Sequence, residues 1–155
     1  EVVMSHVVAQ LVKRLGWRIE QSIHQGRRVV ALLMAGQRAT VLVIDDNPGF
    51  VELLNAYLTR HSYRILAATR SQEGLQLAQE MSPDAIVLDM MMPDMDGWEL
   101  LQRLRVNPAT VTIPVIICSV INSPELAQSL GATLFLPKPV SQHDILNALR
   151  RLGVV

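Results

Sequence analysis

The 155-residue chain is poor in the features that would mark several protein classes. It has a single cysteine, Cys118, which excludes an internal disulfide framework. Neither sign of charge is in excess, with fourteen Lys and Arg against fourteen Asp and Glu, so no broad basic surface is offered to nucleic acid or anionic lipid. No apolar run approaches the roughly 18 residues that a membrane span needs. The four histidines, His6, His24, His61 and His143, are scattered without a pair at metal-ligand spacing, and read as structural or surface residues. The chain opens on Glu1 without a basic-then-apolar leader, which reads as a fragment or trimmed piece rather than a secretory precursor. Together these absences predict a soluble cytoplasmic protein with no direct nucleic-acid or membrane contact.

What is present is an ordinary globular composition, 50% apolar and 18% charged, long enough for one good core and a squeeze for two domains. Neutrality hides a split. Residues 1–40 carry six basic residues against two acids, and the remainder carries eight against twelve. The change falls near Ala35-Gly36-Gln37-Arg38, and a boundary is placed there, giving segments 1–39 and 40–155.

Beyond it, five short apolar runs (41–44, 64–67, 85–88, 113–117 and 133–136) alternate with segments of helical period. The runs are apolar on both faces, as parallel strands covered by helices on either side are. Asn47-Pro48 and Ser123-Pro124 read as helix starts, and Asp96-x-x-Glu99 and Ser141-x-x-Asp144 as capping boxes. Asn107-Pro108 and Gly131 read as stops for the third and fourth helices. Five β-α repeats with right-handed crossovers make a doubly wound α/β sheet, with expected order 2-1-3-4-5. Residues 1–35 differ: Met4, Val7, Val8, Leu11, Val12 and Leu15 form a helical stripe, followed by two strand-like runs flanking His24-Gln25-Gly26-Arg27. This helix plus β-hairpin buries too little to stand alone.

Acids stand at the carboxyl ends of the runs, where open α/β sheets bind ligands. Asp45 and Asp46 follow Ile44, Asp89 follows Leu88, Ser119 follows Cys118, and Lys138 follows Pro137. Three converging carboxylates need a proton or a cation among them at neutral pH. A hard divalent cation such as Mg²⁺ fits oxygen ligands and leaves one carboxylate free to react. That carboxylate has the chemistry of a nucleophile toward a phosphoryl group, with metal, lysine and hydroxyl to neutralise the phosphoryl oxygens.

Val43-Ile44-Asp45-Asp46-Asn47-Pro48, Val87-Leu88-Asp89-Met90-Met91-Met92-Pro93-Asp94-Met95-Asp96-Gly97, Ser119 and Lys138-Pro139 together resemble the receiver domain of two-component response regulators, over about residues 40–152. The resemblance implies a flavodoxin-like fold and a phosphoacceptor at Asp89. It implies Mg²⁺ held by Asp46, Asp89 and the Met91 carbonyl, with Asp45 acting through water. Lys138 would pair with the phosphoryl oxygens, Ser119 would swing toward them, and Phe135 would turn inward with it. The donor would be a histidine kinase or phosphotransfer protein, and the output an unidentified protein contact. Lys138-Pro139 would be cis. By the same resemblance the fourth helix, about residues 124–130, is short or displaced, Phe135 lacks the hydroxyl of the frequent tyrosine, and Met91 is apolar where many receivers are polar. A homodimer through the fourth and fifth helices is left open. Residues 1–39 resemble the tail of a histidine-kinase-type ATP-binding domain, which would make the parent a hybrid protein; its nucleotide-binding segments are absent here.

Plainer readings of the same residues exist. Asp45 and Asp46 as mere helix caps do not explain Asp89, and Lys138 as a surface lysine does not explain its placement between two prolines. Asp94 and Asp96 read as turn and cap residues. Cys118 and Met90–Met92 read as packing. A Mg²⁺-dependent phosphohydrolase of the haloacid-dehalogenase type would carry a second aspartate at position 91, where this chain has methionine. That disfavours an enzyme acting on external substrates. The remaining alternative is a pseudo-receiver that only binds partners.

Overall fold

The computed structural model describes residues 18–24, 26–33 and 38–154, in a chain that divides into two compact units, Glu1–Arg38 and Ala39–Val155. In the first unit β1 (Arg18–His24) and β2 (Arg27–Leu33) pair antiparallel, from Arg18 opposite Leu33 to His24 opposite Arg27. That is the expected hairpin. The expected helix over Met4–Leu15 lies outside the described residues.

In the second unit five strands alternate with five helices. The order is β3 (Thr40–Ile44), α1 (Pro48–Thr59), β4 (Arg64–Ala68), α2 (Ser71–Met81), β5 (Ala85–Leu88), α3 (Gly97–Val106), β6 (Val115–Ser119), α4 (Pro124–Ser129), β7 (Leu134–Pro137) and α5 (Gln142–Arg151). All pairings are parallel, in the order β4-β3-β5-β6-β7. Counted from β3 this is the 2-1-3-4-5 order, with the direction in which strands are added switching between β3 and β5.

The apolar runs form central strands because both of their faces are covered. Val41 and Val43 on one face join Phe50, Leu54 and Leu58 of α1 and Ile145 and Leu149 of α5. Leu42 and Ile44 on the other join Ala78 of α2 and Leu100, Leu101 and Leu104 of α3. Each fully buried Leu or Ile contributes about 1.5–3 kcal/mol relative to exposure. The C-terminal end is tied in by the Tyr63 hydroxyl, which donates to the Val154 carbonyl at 2.8 Å.

Helix boundaries follow local chemistry, with corrections. Asn47 caps α1, its side chain accepting from Gly49 and Phe50, and Pro48 starts the helix. Ser141 and Asp144 form a full capping box on α5. Asp96 caps α3 through the Trp98 amide, without the reciprocal bond from Glu99 that its spacing promised. Ser123 stands at the cap position of α4 but makes no side-chain cap bond. Its ψ of 62° is far from the extended geometry that aims a cap hydroxyl at the helix amides. The sixth strand begins at Val115 rather than 113, because Ile113 closes a turn onto Thr110 and Pro114 has no N–H to give. As expected, α4 has only six residues, and the Lys138–Pro139 bond is cis.

Candidate functional site

The site is assembled by strand register. Ile44 is level with Leu88, so Asp45 and Asp89, each one residue further, leave the sheet side by side. Their amides complete the ladder, Asp45 donating to Ala68 and Asp89 to the Ile44 carbonyl. Leu88 is level with Ile117, and Cys118 with Leu136, which puts Lys138 two strands across from Asp89 and two positions beyond it. Neighbouring strands are about 4.8 Å apart, so a side chain of lysine length is needed to reach back. The alternation that places Val43, Val87 and Leu136 on the α1/α5 face also aims Asp45, Asp89 and Lys138 there. Ser119 falls on the opposite parity.

Carboxylate oxygens of Asp45, Asp46 and Asp89 all lie within 4.8 Å of one another. Asp45 and Asp89 are buried, while Asp46 is exposed. Both oxygens of Asp45 are committed: Oδ1 accepts from the Asn47 amide at 2.8 Å and Oδ2 from Lys138 Nζ at 2.7 Å. Lys138 Nζ stands 3.7 Å from Asp89 Oδ2. Asp89 Oδ1 accepts from the Met91 amide at 3.3 Å, and the Asp46 carboxylate has no hydrogen-bond partner among the described residues. Burial pushes the Asp89 carboxyl above its ordinary range, Lys138 pulls it back, and the Asp45 and Asp46 charges push it up again. One lysine against three carboxylates leaves a net negative, oxygen-lined pocket, a donor set that fits a hard cation such as Mg²⁺.

The other expected site residues are placed as follows. Ser119 is fully buried, its hydroxyl accepting from the Ile121 amide at 3.1 Å and its carbonyl from the Lys138 amide at 2.9 Å. In this arrangement it serves its own loop, not Asp89. Phe135 is half-buried against the α2/α3 core. The Met91 side chain is exposed, and the residue bridges to Asp96, closing the loop after β5. Cys118 is buried and its thiol is pushed up to about 12 by burial, which makes it inert packing. The rings of His61 and His143 share hydrogen bonds with the Gln142 and Asn147 side chains, respectively.

Three contributors were not found by sequence reasoning. Phe50, an apolar residue on the buried side of α1, puts its ring under the Lys138 ammonium at 4.2 Å from the centroid. Asp94, read as a turn residue, accepts from the Ser71 amide at 2.8 Å and from its hydroxyl at 3.2 Å. It thus caps α2, whose own cap residue Arg70 makes no side-chain cap bond. A Cβ at Gly97 would stand 2.5 Å from Met90 Cα, so only glycine lets α3 start against the Asp89 loop.

Residues 41–150 match the response regulator receiver domain family. The chain belongs to that family. Protein PilH of Pseudomonas aeruginosa is 30% identical over 114 residues, covering 72% of this chain and 94% of PilH. Response regulator PleD of Caulobacter vibrioides is 36% identical over 117 residues, 74% of this chain but only 26% of PleD. Among solved structures, the chemotaxis response regulator CheY4 of Vibrio cholerae matches with a TM-score of 0.70 at 28% identity, over 75% of this chain and 99% of that one. The N-terminal domain of a receiver protein from Methanoculleus marisnigri matches with a TM-score of 0.61 at 36% identity, over 72% and 94%. The receiver is thus a signalling module of the two-component type. Among its described residues no helix is long and apolar enough to cross a membrane.

Proposed function

We propose that this receiver accepts a phosphoryl group on Asp89 from a histidine kinase or phosphotransfer protein, and that the acyl phosphate switches a protein-contact surface. The observation that carries the reading is Lys138 Nζ lying between Asp45 Oδ2 at 2.7 Å and Asp89 Oδ2 at 3.7 Å, inside a cluster of three carboxylates. An Asp89 oxygen attacks phosphorus, the bond from phosphorus to the donor imidazole nitrogen breaks, and the imidazole leaves with its electron pair. Lys138 neutralises phosphoryl oxygens as they approach. Asp46, Asp89 and the Met91 carbonyl would hold Mg²⁺, which when bound supplies charge neutralisation for the transferring group. Asp45, with both oxygens already engaged, would contribute through water.

The Ser119 hydroxyl needs to leave the Ile121 amide to reach a phosphoryl oxygen, and that rotation, with burial of the Phe135 ring, is the switch toward the surface around β6 and β7. Two-component relays work in the cytoplasm, and we place this chain there. Residues 1–39 are read as the tail of an ATPase-like domain preceding a receiver at 40–155. The deciding experiment is intact mass after incubation with Mg²⁺ and acetyl phosphate, beside Asp89→Asn. One hydroxylamine-sensitive phosphate on the parent and none on the variant is expected. A parent that stays unlabelled while a known receiver is labelled would leave a binding-only module.

A further inference from the structure

We propose that Phe50 is a positioning residue for Lys138, its ring fixing the ammonium at the phosphoryl site without adding charge; this rests on the phosphoacceptor reading of Asp89. The ammonium is held from three sides: by Asp45 Oδ2 at 2.7 Å, by Asp89 Oδ2 at 3.7 Å and by the Phe50 ring, 4.2 Å from its centroid. The lysine side chain is 16% exposed and Phe50 is buried in the core shared by α1 and α5, so the contact is largely withdrawn from solvent, where the attraction of a cation for a ring face is strongest.

The chemistry of the third holder matters. A carboxylate or carbonyl in the ring's place would hold the ammonium equally well, yet would add negative charge or a competing acceptor to a pocket that already has three carboxylates and must admit an anionic phosphoryl group. An aliphatic side chain would add no charge and no attraction. The aromatic face is electron-rich and carries no net charge, so it restrains the lysine and leaves its charge available. Local structure provides the placement: Asn47 caps α1 by accepting from the Gly49 and Phe50 amides, which pins the first turn of the helix immediately after Asp45 and Asp46.

The chain's composition makes a direct test practicable, because it has two phenylalanines, Phe50 and Phe135, and two lysines, Lys13 and Lys138. The labelling rate with Mg²⁺ and acetyl phosphate would be compared for the parent, Phe50→Leu, Phe50→Tyr, and chains carrying mono-, di- and trifluorophenylalanine at position 50. Fluorination drains the ring face while nearly preserving its shape, so a packing role alone is not moved by it. The expected result is a loss of roughly three- to tenfold in Phe50→Leu, a graded loss along the fluorinated series, and a rate within about twofold of the parent in Phe50→Tyr. In parallel, NMR of lysine-labelled chain without phosphodonor is expected to show one lysine with ε-methylene protons shifted upfield by the ring, and to lose that shift in Phe50→Leu. Equal labelling of parent, Phe50→Leu and trifluoro chains, or no ring-shifted lysine in the parent, would overturn the positioning role while leaving Asp89 as acceptor. An unlabelled parent that still shows the ring-shifted lysine would overturn the phosphoacceptor reading, and the positioning role with it.

Discussion

Lys138 is bound more closely to Asp45 than to Asp89, at 2.7 Å against 3.7 Å. The lysine therefore neutralises the more deeply buried carboxylate first and leaves Asp89 the less compensated one. Lys138→Met keeps the length of the stem and deletes the charge. Breaking a buried pair costs about 3–5 kcal/mol, and the partial exposure of Lys138 places this loss nearer about 2–3 kcal/mol. The melting temperature of the variant is expected to fall and to recover with Mg²⁺ by more than the parent gains. Equal melting temperatures in Mg²⁺-free buffer would contradict the pairing.

Asp89 presents the reverse case. Its carboxyl is raised above the ordinary range, first by burial and then by the Asp45 and Asp46 charges, against the pull of Lys138. A group whose native pKa is raised binds protons more readily in the native state, so its ionisation costs stability as pH rises through that range. Asp89→Asn removes this cost at neutral pH. A gain on the order of 1 kcal/mol is typical of relieving such a site, or about 4 °C in a unit of this size. Added Mg²⁺ would narrow the gap by stabilising the parent. A variant that melts below the parent without Mg²⁺ would show that carboxylate crowding is not what limits the site.

These two residues show which parts of the molecule were legible in the sequence. Strands buried on both faces announce themselves as continuous apolar runs, and a charged residue directly after such a run must lie at the sheet edge, so Asp45, Asp46, Asp89 and Lys138 could be placed by counting. Asp94 could not, because it lies in the loop after β5 while its partner Ser71 starts α2, and only the folded loop brings them together. Phe50 was hidden for a related reason: an aromatic at core spacing looks the same whether or not a cation rests on its face. Ser123 has the right residue type for a cap, but a side chain's hydrogen bond depends on backbone angles that composition does not encode. The order β4-β3-β5-β6-β7 was readable because crossover handedness leaves few alternatives.

Asp94 ties the loop after β5 to the start of α2. Burial alone would raise its carboxyl, but the amide and hydroxyl of Ser71, with further backbone amides, outweigh that and hold it below the ordinary range. A lowered native pKa gives stability that is present above the unfolded value, about 3.9, and is lost as pH falls through the native one. Asp94→Ala is expected to cost about 0.5–1 kcal/mol at pH 7, the low end for a lost cap, because the carboxylate is exposed to solvent screening. In denaturant titrations the gap between parent and variant should shrink as pH falls below the ordinary carboxylate range and Asp94 takes up its proton; a gap unchanged in strong acid would assign the effect to something other than the charged cap.

Gly97 joins the stability of the loop to the chemistry at Asp89. A methyl group there would meet Met90 Cα at 2.5 Å and the Asp89 and Met90 carbonyl oxygens at 2.9 Å. All three are backbone atoms, so no side-chain rotation relieves the contact and the loop itself has to move. Overpacking of this kind costs about 1–3 kcal/mol, and the upper half of that range is expected for Gly97→Ala. The same displacement carries the Met91 amide away from Asp89 Oδ1, a bond already 3.3 Å long, so labelling by acetyl phosphate should slow even at temperatures where the variant is fully folded. Folding is checked by circular dichroism and labelling by intact mass on one sample. A folded variant that labels at the parent's rate would show that Asp89 is oriented by the sheet and Lys138 alone, without help from the loop.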